Sequence, residues 1–149
     1  MKEILGQIKL YIEQKQSTKT WTAGKDLVNY SGVYYSSDEY VSAVESLLSG
    51  WLALGDASVK FECEFPKHLG MSNGIVTNSG SSANLLMMSA LTSKRGHNLP
   101  KGTKVLMPIA GFPTTLNPTL QVGFTPVFVD IELDTLNLDL DQVELALVS

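Results

Sequence analysis

Asn78-Ser79-Gly80-Ser81-Ser82-Ala83-Asn84 lies between the apolar run Gly74-Ile75-Val76-Thr77 and the helix-forming run from Leu85 to Leu91. A short Gly/Ser turn that leaves a strand and opens a helix carries backbone N–H groups with no intrahelical partner. The positive end of the helix dipole lies at the same place. Ser81 and Ser82 add hydroxyls beside the bare backbone of Gly80. The combination is a seat for a phosphate. A serine before a helix also has a plainer use as an N-cap, but Gly-Ser-Ser offers more donors than a cap needs. No Lys follows at a P-loop spacing, and the three spaced glycines of a dinucleotide fingerprint are missing.

The elements that must hold this turn are legible in the pattern of apolar residues. Residues 74–78 read as a strand and 82–93 as a helix. A polar connection from Lys94 to Gly102 leads to a second strand, Lys104–Pro108. The turn Ala110-Gly111-Phe112-Pro113 then opens a helix running to about Gln121, followed by a third strand over Pro126–Ile131 and a helix over Leu140–Val148. Strands alternating with crossover helices predict an α/β fold with a mostly parallel sheet. The helix after Ser82 is apolar almost all round, so it is expected to be buried with a rigidly held N-terminus. Upstream, residues 2–15 form an amphipathic helix and 16–35 an extended arm. Ser36 with Glu39 makes a capping box. The stripe Val41, Val44, Leu47, Leu48, Trp51 and Leu52 predicts a helix ending at Gly55. A further helix spans about 57–69, with Pro66 expected to kink or interrupt it.

Composition narrows the function. Of 149 residues, 44% are hydrophobic and 17% charged, which suits a folded domain rather than a disordered chain. The net charge of −4, with Lys and Arg scattered, advertises neither nucleic-acid nor anionic-membrane binding. No apolar run approaches the roughly 20 residues of a membrane span, and no signal-peptide core follows Met1-Lys2-Glu3. The single Cys63 allows no internal disulfide or cysteine metal cluster, and reads as a helix-packing residue. The expected setting is cytoplasmic. Three strands are few for a doubly wound sheet. The chain is therefore expected to be the N-terminal part of a larger enzyme, with a helix and arm over 1–35 and an incomplete α/β domain over 36–149.

Four runs carry a family resemblance. These are Gly55…Phe61-Glu62…Phe65…Gly70, then Thr77 through Leu86, then Ala110-Gly111-Phe112-Pro113-Thr114-Thr115-Leu116-Asn117-Pro118, then Pro126 to Ile131. Together they resemble the vitamin-B6-dependent nucleotide-sugar aminotransferase/dehydratase family (DegT/DnrJ/EryC1/StrS). Within it they are most similar to the CDP-4-keto-6-deoxyglucose 3-dehydrase branch of lipopolysaccharide deoxysugar synthesis. The arm around Gly24-Lys25 and Tyr30-Ser31-Gly32 fits too.

The resemblance implies the large domain of a type I aspartate-aminotransferase-like fold. It implies pyridoxal or pyridoxamine 5′-phosphate as cofactor, with Gly80, Ser81 and Ser82 at its phosphate and Phe112 stacked on its ring. From the residues alone, Phe112 reads as a core aromatic after a strand. The carboxylate that pairs with the pyridine nitrogen, and the His (dehydrases) or Lys (aminotransferases) facing the reactive carbon, are implied downstream of the third strand. No catalytic or metal-binding residue is therefore assigned within the chain. His68, His97, Lys94, Lys101, Lys104 and Asp130 read as surface or strand-end groups. The resemblance also implies a nucleotide-sugar substrate, a homodimer or a completing chain, and a possible reductase partner. A sugar aminotransferase, or a non-catalytic fragment needing a second polypeptide, are the alternatives.

Overall fold

The computed structural model describes residues 1–18, 20–29 and 31–148. Lys19 and Tyr30 of the expected arm, and Ser149, lie outside the described residues. Two compact units divide the chain, Met1–Gly74 and Ile75–Ser149.

The first unit is helical: α1 (Lys2–Ser17), α2 (Ser37–Leu48) and α3 (Asp56–His68). The capping box forms as expected. Ser36 accepts the Asp38 amide through its hydroxyl, and the Glu39 carboxylate accepts the Ser36 amide at 2.7 Å. The Ser36 hydroxyl also donates to Glu39, and that bond first, then the backbone amides, hold the Glu39 carboxyl below its ordinary pKa. α1 packs on α2 through polar ties. Lys9 pairs with Asp38 at 2.7 Å, Ser37 donates to Glu13 at 2.9 Å, and Gln16 donates to the Tyr35 carbonyl at 2.6 Å. The arm is not simply extended, because Asp26 accepts the Thr22 amide across a turn that places Gly24 at φ +79°.

α2 stops earlier than its apolar stripe. Gly50 at φ +75° ends the helical path two residues past Leu48. Trp51 and Leu52 therefore fall outside the helix, and the Trp51 indole N–H donates to the Leu54 carbonyl at 2.9 Å. Pro66 neither breaks α3 nor shortens it drastically, since it sits in the last turn. Having no N–H, it leaves the Glu62 carbonyl, four residues back, to another donor. That donor is the Gly74 amide at 3.2 Å. A Cβ on Gly74 would lie 2.7 Å from Pro66 Cγ, so only glycine fits this approach.

The second unit holds α4 (Gly80–Thr92), β1 (Lys104–Pro108), α5 (Pro113–Gln121), β2 (Thr125–Val129) and α6 (Leu140–Val148). β1 and β2 pair in parallel, from Lys104 opposite Thr125 to Pro108 opposite Val129, with α5 as the crossover. Met107, Phe124 and Val129 are buried on this β–α–β unit, together with Pro118 and Thr119 of α5. The Asp139 carboxylate caps α6 at the Asp141 and Gln142 amides, and Gln142 accepts the Asp130 amide, tying the end of β2 to the helix.

Three further expectations need correction. Residues 74–78 are irregular, because a strand exists only where a neighbour supplies a ladder and the described sheet has two strands. α4 has no buried residue, and Leu86 and Met87 are 44% and 54% exposed. Its apolar surface records what calls for cover, not what provides it. Cys63 is exposed rather than packed.

Candidate cofactor site

Gly80, Ser81 and Ser82 are the first three residues of α4. Ser79 is the N-cap: its hydroxyl accepts the Ser82 amide and donates to the Ser82 hydroxyl, each at 3.2 Å. The Thr77 hydroxyl fixes the cap from behind by donating to the Ser79 carbonyl at 2.9 Å. The cap uses one of the three amides. The Gly80 and Ser81 N–H groups and the Ser81 hydroxyl have no protein partner among the described residues, and the Ser82 hydroxyl still has its own proton to donate.

Gly80 is not required by the backbone or by packing. Its φ is not in the left-handed region, and a Cβ there would meet no atom within 4 Å. The space in front of the first turn is open.

Charge distinguishes this helix start from most others in the chain. α1, α2, α3 and α6 each carry an acidic residue in the first turn, which offsets the positive helix end. α4 and α5 carry none. Those two uncompensated starts are joined, because Asn84 Nδ2 donates to the Thr114 carbonyl at 3.2 Å.

Phe112 is the N-cap residue of α5, directly before Pro113 at the first helical position. It follows the C-terminal end of β1, where ligands bind in open α/β sheets. Phe112 is 66% exposed, so it is not a core aromatic. It borders a recess of about 240 Å³ lined also by Met107, Pro108, Thr115, Asn117 and Phe128. The Asn84–Thr114 bond lies two residues from Ser82 along one helix and two from Phe112 along the other. Asn84 closes the motif quoted from the sequence, where it carried no role of its own. The signal that could have found it is Pro118, which strips the Thr114 carbonyl of its helical donor.

His68 ends α3, His97 lies in the connection before β1, and both are exposed. Asp130 follows β2, and its carboxylate accepts the Ile131 amide at 2.8 Å. Among the described residues no cluster of His, Cys, Asp or Glu could hold a metal, and no helix is long and apolar enough to cross a membrane.

Known proteins match this chain closely. Over 145 residues it is 41% identical to dTDP-4-dehydro-2,6-dideoxy-D-glucose 3-dehydratase of Saccharopolyspora spinosa, covering 96% of this chain and 31% of that protein. It is also 41% identical to lipopolysaccharide biosynthesis protein RfbH of Salmonella typhimurium, covering 91% of this chain and 32% of that protein. Among solved structures, E. coli GDP-4-keto-6-deoxy-D-mannose-3-dehydratase with bound hydrated PLP superposes with a TM-score of 0.69 at 32% identity, covering 81% of this chain and 32% of that one. The chain thus spans about a third of the length of the relatives it matches. The fold is the N-terminal part of the large domain of these B6-dependent enzymes. Residues 35–149 match the DegT/DnrJ/EryC1/StrS aminotransferase family, and the chain belongs to it.

Proposed function

We propose that the Gly80 and Ser81 amides, with the Ser81 and Ser82 hydroxyls, hold the phosphate of pyridoxal or pyridoxamine 5′-phosphate, and that Phe112 stacks on its ring. The observation that carries this reading is the α4 start: unpartnered donors, no acid in the first turn, open space before Gly80, and a hydrogen bond to the helix that begins at Phe112. A dianion there meets the helix dipole and short charge-assisted hydrogen bonds. Ser79 and Thr77 keep the turn in the geometry that aims those donors outward. An exposed flat ring against a rigid turn presents a face for stacking.

When bound, the cofactor supplies an electron sink for bond cleavage beside a sugar carbonyl. The enzyme to which residues 36–149 contribute is a nucleotide-sugar 3-dehydratase acting on a 4-keto-deoxyhexose. The names of the matched relatives support that choice over the aminotransferase alternative. The CDP carrier, the homodimer and the reductase partner belong to the same proposal and rest on the family resemblance; the cytoplasmic setting rests on composition. No residue of this chain is proposed as the catalytic base or as the partner of the pyridine nitrogen.

The test uses pyridoxamine 5′-phosphate, which lacks the aldehyde that would label surface lysines, and pyridoxamine, which lacks the phosphate. Ligand fluorescence should show the phosphorylated form binding at least about tenfold more tightly, as expected when a charged group gains two or more hydrogen bonds. Ser81→Ala and Gly80→Val should narrow that ratio. Equal affinity for the two ligands contradicts the reading.

A further inference from the structure

Inside α5 the carbonyl of Thr114 lacks its usual helical donor, because the residue four positions on is Pro118. Asn84, the fifth residue of α4, fills that vacancy with its half-buried side-chain amide. A backbone carbonyl only accepts, so the Asn84 amide must present its nitrogen here. Among the described residues this is the one side-chain hydrogen bond joining the two helices. One helix begins with the phosphate donors and the other with the stacking ring.

We propose that Asn84 is a positioning residue: through the Thr114 carbonyl it sets the spacing between the Gly80–Ser82 donors and the Phe112 ring. The inference rests on the cofactor seat proposed above. A ligand with a phosphate at one end and an aromatic ring at the other then binds as a chelate. Once one end is seated, the other is held at high effective concentration, and this advantage depends on how rigidly the two half-sites are spaced. Loosening the tether costs affinity only for a ligand that touches both.

The experiment measures three affinities for the wild-type chain and for Asn84→Leu. Pyridoxamine 5′-phosphate engages both half-sites, inorganic phosphate only the α4 start, and pyridoxamine only the ring. The expected result for Asn84→Leu is a five- to tenfold loss (roughly one hydrogen bond) for pyridoxamine 5′-phosphate, with both single-ended probes unchanged within about twofold. Asn84→Ala, which favours the helix, should repeat the pattern. Equal losses for inorganic phosphate and for pyridoxamine 5′-phosphate would mean that Asn84 merely helps α4 fold, overturning the inference and leaving the seat intact. An unchanged pyridoxamine 5′-phosphate affinity also overturns it. A wild-type chain that binds pyridoxamine 5′-phosphate no better than pyridoxamine removes the seat itself, and the inference with it.

Discussion

Each unit contains a helix with an internal proline, and each uses the carbonyl that the proline releases in a different way. In Met1–Gly74 the Glu62 carbonyl accepts the backbone amide of Gly74, which folds the chain after α3 back onto its own helix. In Ile75–Ser149 the Thr114 carbonyl accepts a side chain from another helix. A backbone donor makes a local turn and survives most substitutions, whereas a side-chain donor joins distant segments and can be deleted by one mutation. The contrast extends to packing. The second unit buries Met107, Phe124 and Val129, while in the first the buried described residues are Ser37 and Pro66. The unit bearing the candidate site has its own apolar core; the other is organised by a capping box, the Lys9–Asp38 ion pair and a proline–glycine contact.

The largest effect that would sharpen this contrast is Phe124→Ala, which should destabilise the second unit by about 3–5 kcal/mol in denaturant unfolding. Phe61→Ala in α3, where the ring is 50% exposed and stacks on Phe65 at 4.8 Å, should cost about 1 kcal/mol or less. Comparable losses at the two sites would break the distinction. Next comes Gly74→Ala, expected to cost roughly 1–3 kcal/mol because the new methyl meets Pro66. The double variant with Pro66→Ala should recover much of that loss, and simple additivity would mean that the contact does not matter.

Thr119→Val is expected to act in the opposite direction. Its hydroxyl is fully buried with no hydrogen-bond partner, so a methyl of the same shape should raise stability by about 1 kcal/mol. A loss of stability would reveal a partner for that hydroxyl.

The smallest effect is a pH dependence at the α2 cap. Glu39 titrates below 4.5 because it accepts hydrogen bonds from Ser36 in the folded chain, with the Ser36 hydroxyl the leading cause. Its contribution is therefore complete above pH 4.5 and fades as the pH falls through the lower folded value. Glu39→Gln, which keeps an acceptor but not a charge, should remove that acid limb. An unaltered acid limb in the variant would assign it to other carboxylates.

Much of this arrangement was legible in the residues. The Ser36/Glu39 box, Pro113 at a helix start and the Gly-Ser-Ser turn are local signals, and each marks its element to within a residue or two. Gly50 was equally local, yet the apolar stripe through Trp51 and Leu52 masked it; backbone conformation at one glycine overrode hydrophobic periodicity. Residues 74–78 and the surface of α4 failed for another reason, since strand pairing and burial depend on neighbours that a segment does not encode. The Asn84–Thr114 bond needed both a donor and a proline-made vacancy thirty residues away. Either half looks ordinary alone.

The most direct measurement is a backbone amide NMR titration of the ¹⁵N-labelled chain with pyridoxamine 5′-phosphate. The account predicts saturable shifts centred on the Gly80 and Ser81 amides, with a smaller response at Phe112 from its ring. Shifts confined to other helix starts, such as Asp56 of α3, or none that saturate, would contradict it.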